Sequence, residues 1–302
     1  MQHTAQLLMI QPVNFGFNAE TAENNTFQKK LDGDVQQRAF NEFTAFVDLL
    51  HKNKVDVTVV EDSLFPSTPD SIFPNNWISF HDDGHIFLYP MFAVNRRLER
   101  KAAVLHAVKE KFSVENIIDL TNVETAGIFL EGTGSMVLDR ENNIAYASLS
   151  PRTNENLLNE FCKLVDYKPV AFKATDDAGH AIYHTNVMLS VANTFAVVCL
   201  ESVTNDAERS TLLNSLIKTG KEIIDISLMQ LDHFAGNMLQ VVNTEGELLL
   251  VMSTQAYQSL TTAQVEILQK HNRIIHSSLI TIETVGGGSA RCMMAEIFLT
   301  LK

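Results

Sequence analysis

The chain has 302 residues, 45% apolar and 20% charged, with a formal net charge of −13. That apolar content supports a sizeable core and excludes a disordered chain, and the acidic balance is a poor match to nucleic acid or anionic lipid. No apolar stretch reaches membrane-spanning length, no N-terminal signal segment is visible, and Cys162, Cys199 and Cys292 form neither a CxxC nor a zinc spacing, so a reducing cytoplasm is the expected setting.

The first expected element is a strand at Gln6–Gln11. Asn14–Lys30 has no clear period and reads as a loop over a face. Helix Gly33–His51 and strand Val55–Val60 follow. Glu61–Pro74, rich in Pro and Ser, is a second surface loop, and either loop is placed to act as a lid. Phe-Pro-Asn-Asn-Trp (Asn75, Asn76) then opens a hairpin of Trp77–Phe80 and His85–Tyr89.

The same grammar returns four times. Helix Asn95–Phe112, with Leu98, Ala102, Leu105 and Val108 at helical spacing, leads to strand Val114–Leu120. Leu-Glu-Gly-Thr-Gly (Glu131, Gly134) opens the hairpin Ser135–Leu138 with Ile144–Leu149. Helix Asn154–Val165 and strand Pro169–Lys173 lead to Tyr-His-Thr-Asn (His184, Asn186) and the hairpin Val187–Val191 with Phe195–Leu200. Helix Asp206–Lys218 and strand Glu222–Ile226 lead to Ala-Gly-Asn-Met (Gly236, Asn237) and the hairpin Met238–Val242 with Leu248–Met252. Helix Thr262–His271 and strand Leu279–Thr284 lead to Gly286–Gly288, Cys292 and a last strand, Met293–Leu299.

The anchors Asn76, Gly134, Asn186, Asn237 and Cys292 stand 51 to 58 residues apart. A period of that size marks a repeat architecture. The expectation is an α/β fold, one domain over residues 1–302, made of five ββαβ units in a ring. The unpaired first and last strands close it on each other. A plain βαβ parallel sheet would lack a hairpin after each knot.

Three knots carry residues fit for covalent or proton chemistry. Singly, Cys292 reads as an apolar core thiol, His184 as a satisfied histidine and Glu131 as a loop carboxylate. Together, at equivalent places in three repeats, they form a thiol, an imidazole and an acid, the set needed for nucleophilic catalysis. Gly286–Gly288 lets the backbone approach a ligand, and Arg291 is a local cation that favours a thiolate. Cys199, in an apolar strand, and Cys162, on a helix, read as structural. No metal motif or dinucleotide fingerprint is present, so no cofactor is expected.

With these residues the chain resembles the guanidino-group-modifying superfamily of arginine deiminase, dimethylarginine dimethylaminohydrolase and arginine:glycine amidinotransferase. Its fold is the pentein, a five-bladed α/β propeller around a central site. Leu130-Glu131-Gly132, Leu149-Ser150-Pro151-Arg152-Thr153-Asn154, Tyr183-His184, Asn95-Arg96-Arg97-Leu98-Glu99 and the Gly-rich approach to Cys292 resemble the dimethylargininase pattern. Phe-Pro-Asn-Asn-Trp and Phe-Ala-Gly-Asn-Met look most like the citrulline-utilisation hydrolase, or amidinotransferase-like, branch.

The resemblance implies Cys292 as nucleophile, His184 as general acid and base, and Glu131 as the acid that holds His184 or the substrate nitrogen. Arg97 and Arg152 would bind the α-carboxylate of an amino-acid substrate. Asn76 and Asn186 stand where relatives often have acids. An amide donates as well as accepts, which suits a neutral ureido group such as that of citrulline. The expected activity is hydrolysis of a C–N bond in a guanidino or ureido group. Transfer of the amidino group to an amine and a non-catalytic binding ring are the alternatives. The expected partner is a small amino acid, with no nucleic acid or membrane, and homo-oligomerisation is left open.

Overall fold

A computed structural model describes residues 1–302. Its strands in chain order are β1 Gln6–Gln11, β2 Asp56–Glu61, β3 Ile78–Phe80, β4 His85–Leu88, β5 Asn116–Asp119, β6 Val137–Asp139, β7 Ile144–Ser148, β8 Lys168–Phe172, β9 Leu189–Val191, β10 Phe195–Val198, β11 Glu222–Asp225, β12 Leu239–Val242, β13 Leu248–Ser253, β14 Arg273–Ser277 and β15 Ala295–Glu296. They form five three-stranded sheets. In four of them an antiparallel hairpin is joined by a parallel third strand: β3-β4-β5, β6-β7-β8, β9-β10-β11 and β12-β13-β14. The fifth joins the chain ends, with β15 antiparallel to β1 and β1 parallel to β2. The mixed α/β fold and its five small sheets suit a five-blade arrangement.

Each parallel pair needs a crossover, and a helix supplies it. The helices are Val35–Lys52, Ala102–Lys111, Glu155–Leu164, Asp206–Lys218 and Thr262–His271. Four start where a side chain caps the free amides: Asp34, Asn154, Asn205, and Thr261, which forms a capping box with Gln264. Their apolar sides close against the sheets, as with Phe43, Phe46 and Leu50 of the first and Leu157, Leu158 and Phe161 of the third. The short strands after the knots face one another, β15 against β3, β6 against β9, and β9 against β12.

Three expected elements differ. Asn95–Phe112 is split into a 3₁₀ turn, Asn95–Glu99, and the helix from Ala102. Three arginines pull that turn in different directions. Arg96 bonds Asn76 Oδ1 (2.8 Å), Arg97 the Met91 carbonyl (3.0 Å), and Arg100 the Tyr89 carbonyl (3.2 Å) and Glu124. The strand expected at Leu279–Thr284 is instead β14, pairing with β13, and Ile282–Gly286 is a π-helical turn burying Ile282, Glu283 and Val285. The β-branched run there follows burial, not strand pairing. Only Ala295–Glu296 of the last expected strand pairs, because Ala290–Met293 forms a helical turn.

The knots themselves are mostly single helical turns: Pro74–Asn76, Gly132–Ser135, Thr185–Met188 and Ala290–Met293. They pack directly on one another. A Cβ on Gly134 would stand 2.7 Å from His184 Nδ1, and one on Gly132, where φ is +47°, would stand 2.4 Å from the Asn75 carbonyl oxygen. Glycine at these places is a condition of the knots meeting. No helix is long and apolar enough to cross a membrane.

Candidate active site

The meeting of the knots builds one small cavity. Its wall includes Asn76, Arg152, His184, Gly286–Gly288 and Cys292, all from the knots or beside them. Thr21 and Asn25 come from the 14–30 loop, and Asp70 and Phe73 from the 61–74 loop, so both loops expected as covers lie over the cavity. Its volume is about 10 Å³, the room of a single water, so the site is closed.

On one side the contacts are ionic. Glu131, fully buried, accepts from His184 Nε2 at 2.8 Å and faces Arg152 Nη1 at 3.5 Å. Its other oxygen, Oε1, accepts from the Phe92 amide at 2.9 Å. Burial alone would raise its pKa, but Arg152, the His184 hydrogen bond and Arg96 outweigh it and pull the carboxyl down to about 2. Burial dominates at His184, against the opposing pull of Glu131, and lowers its pKa to about 4. At neutral pH the pair is therefore a carboxylate and a neutral imidazole, with the proton on Nε2 directed at Glu131.

On the other side the contacts are amides. Cys292 Sγ lies 3.3 Å from Asn237 Nδ2 and 3.5 Å from Asn186 Nδ2. Asn237 is itself fixed, donating to the Asn186 carbonyl (2.8 Å) and accepting from the Arg291 amide (3.0 Å). The Arg291 guanidinium bonds the Met294 carbonyl and Glu296 (2.8 and 2.9 Å) and makes no hydrogen bond to the thiol, so it acts on Cys292 only through its charge. Cys162 and Cys199 are free and buried elsewhere, and burial pushes both thiols up to about 12.

The expected residues are thus gathered with one exception. Cys292, His184, Asn76 and Arg152 line the cavity, Glu131 stands behind His184, and Asn186 touches the thiol. Arg97 does not reach it. Its guanidinium bonds the Met91 and Phe92 carbonyls, faces Glu124 at 3.6 Å and lies over the Phe129 ring. Its neighbour Arg96 lines the cavity, held by Glu99 through two bonds of 2.8 and 3.0 Å. Successive residues in a tight turn face different ways, and the paired arginines in the sequence do not say which one faces inward.

Asp70, Tyr183 and Asn237 were not anticipated in the site. Asp70 Oδ2 accepts from Asn18 (2.8 Å) and Thr21 (3.0 Å), while Oδ1 is buried without a partner. Tyr183 lies under the Arg152 guanidinium, 5.0 Å from ring centroid to Cζ, and donates its hydroxyl to the Gly287 carbonyl (2.5 Å). Asn237 was visible as a knot, but only the fold sets its amide on the sulfur.

The family model for "N,N dimethylarginine dimethylhydrolase, eukaryotic" matches residues 11–299. The chain belongs to that family. It is thereby a member of the guanidino-modifying, or pentein, superfamily. No curated protein is recognisably similar in sequence. Among solved structures, the apo form of ArgZ, an arginine dihydrolase of the ornithine-ammonia cycle in cyanobacteria, superposes with a TM-score of 0.76 at 15% identity. The match covers 97% of this chain and 40% of ArgZ, so this chain spans less than half the length of that relative. The N-terminal domain of ArgZ, a cysteine-to-serine variant with substrate bound, gives 0.75 at 15% identity over 97% of this chain and 99% of the domain. The dimethylargininase of Pseudomonas aeruginosa, a cysteine-to-serine variant with citrulline, gives 0.70 at 13% identity over 98% and 100%. At these identities the structures establish the fold, and the family rests on the sequence model.

Proposed function

We propose that this protein is a cysteine hydrolase of arginine-like amino acids, built as one five-bladed α/β propeller with its site at the centre. The observation that carries the reading is the thiol of Cys292 and the Glu131-supported imidazole of His184 on one cavity that also presents two guanidinium groups and a free carboxylate oxygen. Arg152 and Arg96 hold the substrate carboxylate, and Asp70 Oδ1 receives a cationic end. The roles given to Arg97 by resemblance pass to Arg96. The three free thiols suit a reducing, cytoplasmic setting.

In the cycle, the Cys292 thiolate attacks the central carbon of the guanidino group. The proton that the Cys292 thiol gives up to His184 passes to one nitrogen, which leaves as ammonia or amine. His184 then takes a proton from water, which attacks the thio-linked carbon and releases the ureido product and the thiolate. Asn237 and Asn186 supply donors to the sulfur through both stages without adding charge. The substrate is admitted when the 14–30 loop lifts, breaking Arg152 to the Thr21 carbonyl (2.8 Å), Asn25 to the Gly287 carbonyl (3.2 Å) and Gln28 to the Gly286 carbonyl (3.0 Å).

Asn76 on the wall and Asn186 at the sulfur favour a second step. Amides match a guanidinium with their oxygens and a ureido oxygen with their nitrogens. The ureido product then passes through the same cycle, consuming a second water: ammonia leaves first, water releases a carbamate from the thiol, and the carbamate breaks down to carbon dioxide and the side-chain amine. The arginine dihydrolase label of ArgZ supports this reading. Product analysis with arginine, dimethylarginine and citrulline tests it. Two ammonia per arginine, with citrulline consumed, supports the double hydrolysis. Methylamine release from dimethylarginine alone reduces it to a single step. Amidino transfer to added glycine replaces hydrolysis by transfer, and no turnover of any of the three overturns the enzyme reading.

A further inference from the structure

Behind the Gly286–Gly288 wall lies a buried acid that the cycle above does not use. Glu283 is 3% exposed and sits in the turn Ile282–Gly286. Its main-chain oxygen accepts from the Gly287 amide at 3.0 Å, and its Oε1 accepts from Ser289 Oγ at 2.6 Å. Its Oε2 is buried with no hydrogen-bond partner. Ser289 in turn accepts, at its carbonyl, from the Cys292 amide at 3.0 Å. One residue therefore brackets the glycine wall at both ends, two hydrogen bonds from the thiol-bearing residue.

We propose that Glu283 is a positioning residue for Cys292, and that the proton on its carboxyl controls how the Gly286–Ser289 loop presents the thiol. The groups facing it leave its charge uncompensated. Glu42, from helix Val35–Lys52, accepts from the Thr281 and Ile282 amides (2.8 and 3.0 Å) and adds a second negative charge. The hydroxyls of Ser253 and Ser289 and the ring of His233 are the only favourable neighbours among the groups acting on it. Burial is the largest influence, opposed by the two hydroxyls, and the carboxyl rises to about 7. This value lies above the ordinary 4.5, so the folded protein holds the proton longer than the unfolded chain. The stabilisation is complete below the ordinary carboxylate range and is lost as pH rises through about 7. Loss of the proton turns Oε1 into a charged acceptor, which tightens its hydrogen bond from Ser289 and through it draws on the loop that presents the thiol.

The proposal rests on Cys292 being the reacting thiol, and its test has a readout that does not need turnover. Iodoacetamide labelling of Cys292 and kcat are followed from pH 5.5 to 9 in wild type, Glu283→Gln and Ser289→Ala. The wild type shows an inflection near 7 in both profiles, beyond that of the thiol itself. Glu283→Gln, the shape of the protonated acid, stays within about threefold of wild type at pH 6 and lacks the inflection, with KM little changed. Ser289→Ala cuts the link to the loop and also lacks it, which decides the matter should the Gln variant not fold. An inflection retained in Ser289→Ala, or in a folded Glu283→Gln, overturns the proposal. Turnover retained in Cys292→Ser overturns the functional reading, whereas the labelling profile still judges Glu283.

Discussion

The two sides of the cavity solve burial in opposite ways. The His184 side buries charges and pairs them: Glu131 with Arg152, and Arg96 with Glu99. The Cys292 side buries no formal charge within hydrogen-bond reach of the sulfur, only the amides of Asn186 and Asn237. A charged wall sets protonation states firmly, because moving a proton there upsets paired neighbours in a low-dielectric site. An amide wall sets geometry but leaves the charge of the reacting group free to change. The division suits a site where the imidazole rests neutral, ready to take a proton, while a thiol, a guanidinium and a ureido group come and go.

The largest expected effect breaks the amide side. Cys292→Ser keeps the fold, since the change is small, but lowers kcat by roughly 10⁴-fold or more, because a hydroxyl lacks the thiol's ready anion. Steady-state rates beside a circular-dichroism melt check it. A variant within tenfold of wild type would move the nucleophile elsewhere and remove the reason for the comparison.

The next effect breaks the ionic side. Glu131→Gln removes the partner that holds the Nε2 proton of His184, and kcat drops about 10² to 10³-fold. The same change alters acid stability with a definite sign. Glu131 and His184 both have pKa values below their ordinary ones, about 2 against 4.5 and about 4 against 6.5. Both contributions are complete above the ordinary values. They are lost as pH falls, first through 6.5 to 4 for His184 and then through 4.5 to 2 for Glu131. Urea midpoints between pH 7 and 3 measure this, and the Glu131 share lost by pH 3 in wild type is about 2 kcal/mol. Equal acid slopes in wild type and Glu131→Gln would show that Arg152 does not hold the carboxylate charged.

The smallest effect sharpens the comparison by adding charge to the amides. Asn76→Asp and Asn186→Asp shift the kcat/KM ratio toward arginine over citrulline, by roughly tenfold, about 1.4 kcal/mol. The Asn186 variant also slows labelling of Cys292, since an acid beside Sγ opposes a thiolate. Ratios left unchanged by both substitutions would mean that Asp70 and Glu131 already fix the charge preference.

The repeat is legible in the amino-acid order alone. Hairpin and helix follow from alternation and 3.6-residue spacing, which each segment carries locally, and five evenly spaced knots made the closure of first on last strand readable. The pair at Glu131 and His184 and the thiol at Cys292 were legible for the same reason, as reactive residues at equivalent repeat positions. What lies between knots was decided only in three dimensions. Arg96 rather than Arg97 faces the cavity because Asn76 and Glu99 are there to receive it. Asp70, in a loop without period, becomes part of the wall because Asn18 and Thr21 hold one oxygen and leave the other free. The run at 279–284 has the composition of a strand, yet β14 already occupies the edge of β13, so it turns and buries Glu283 behind the thiol loop. Local spacing records which face a residue takes along its own element. Which neighbour completes its hydrogen bonds and charge is settled by the folded chain, often from a distant segment, as with Glu131 and His184, 53 residues apart.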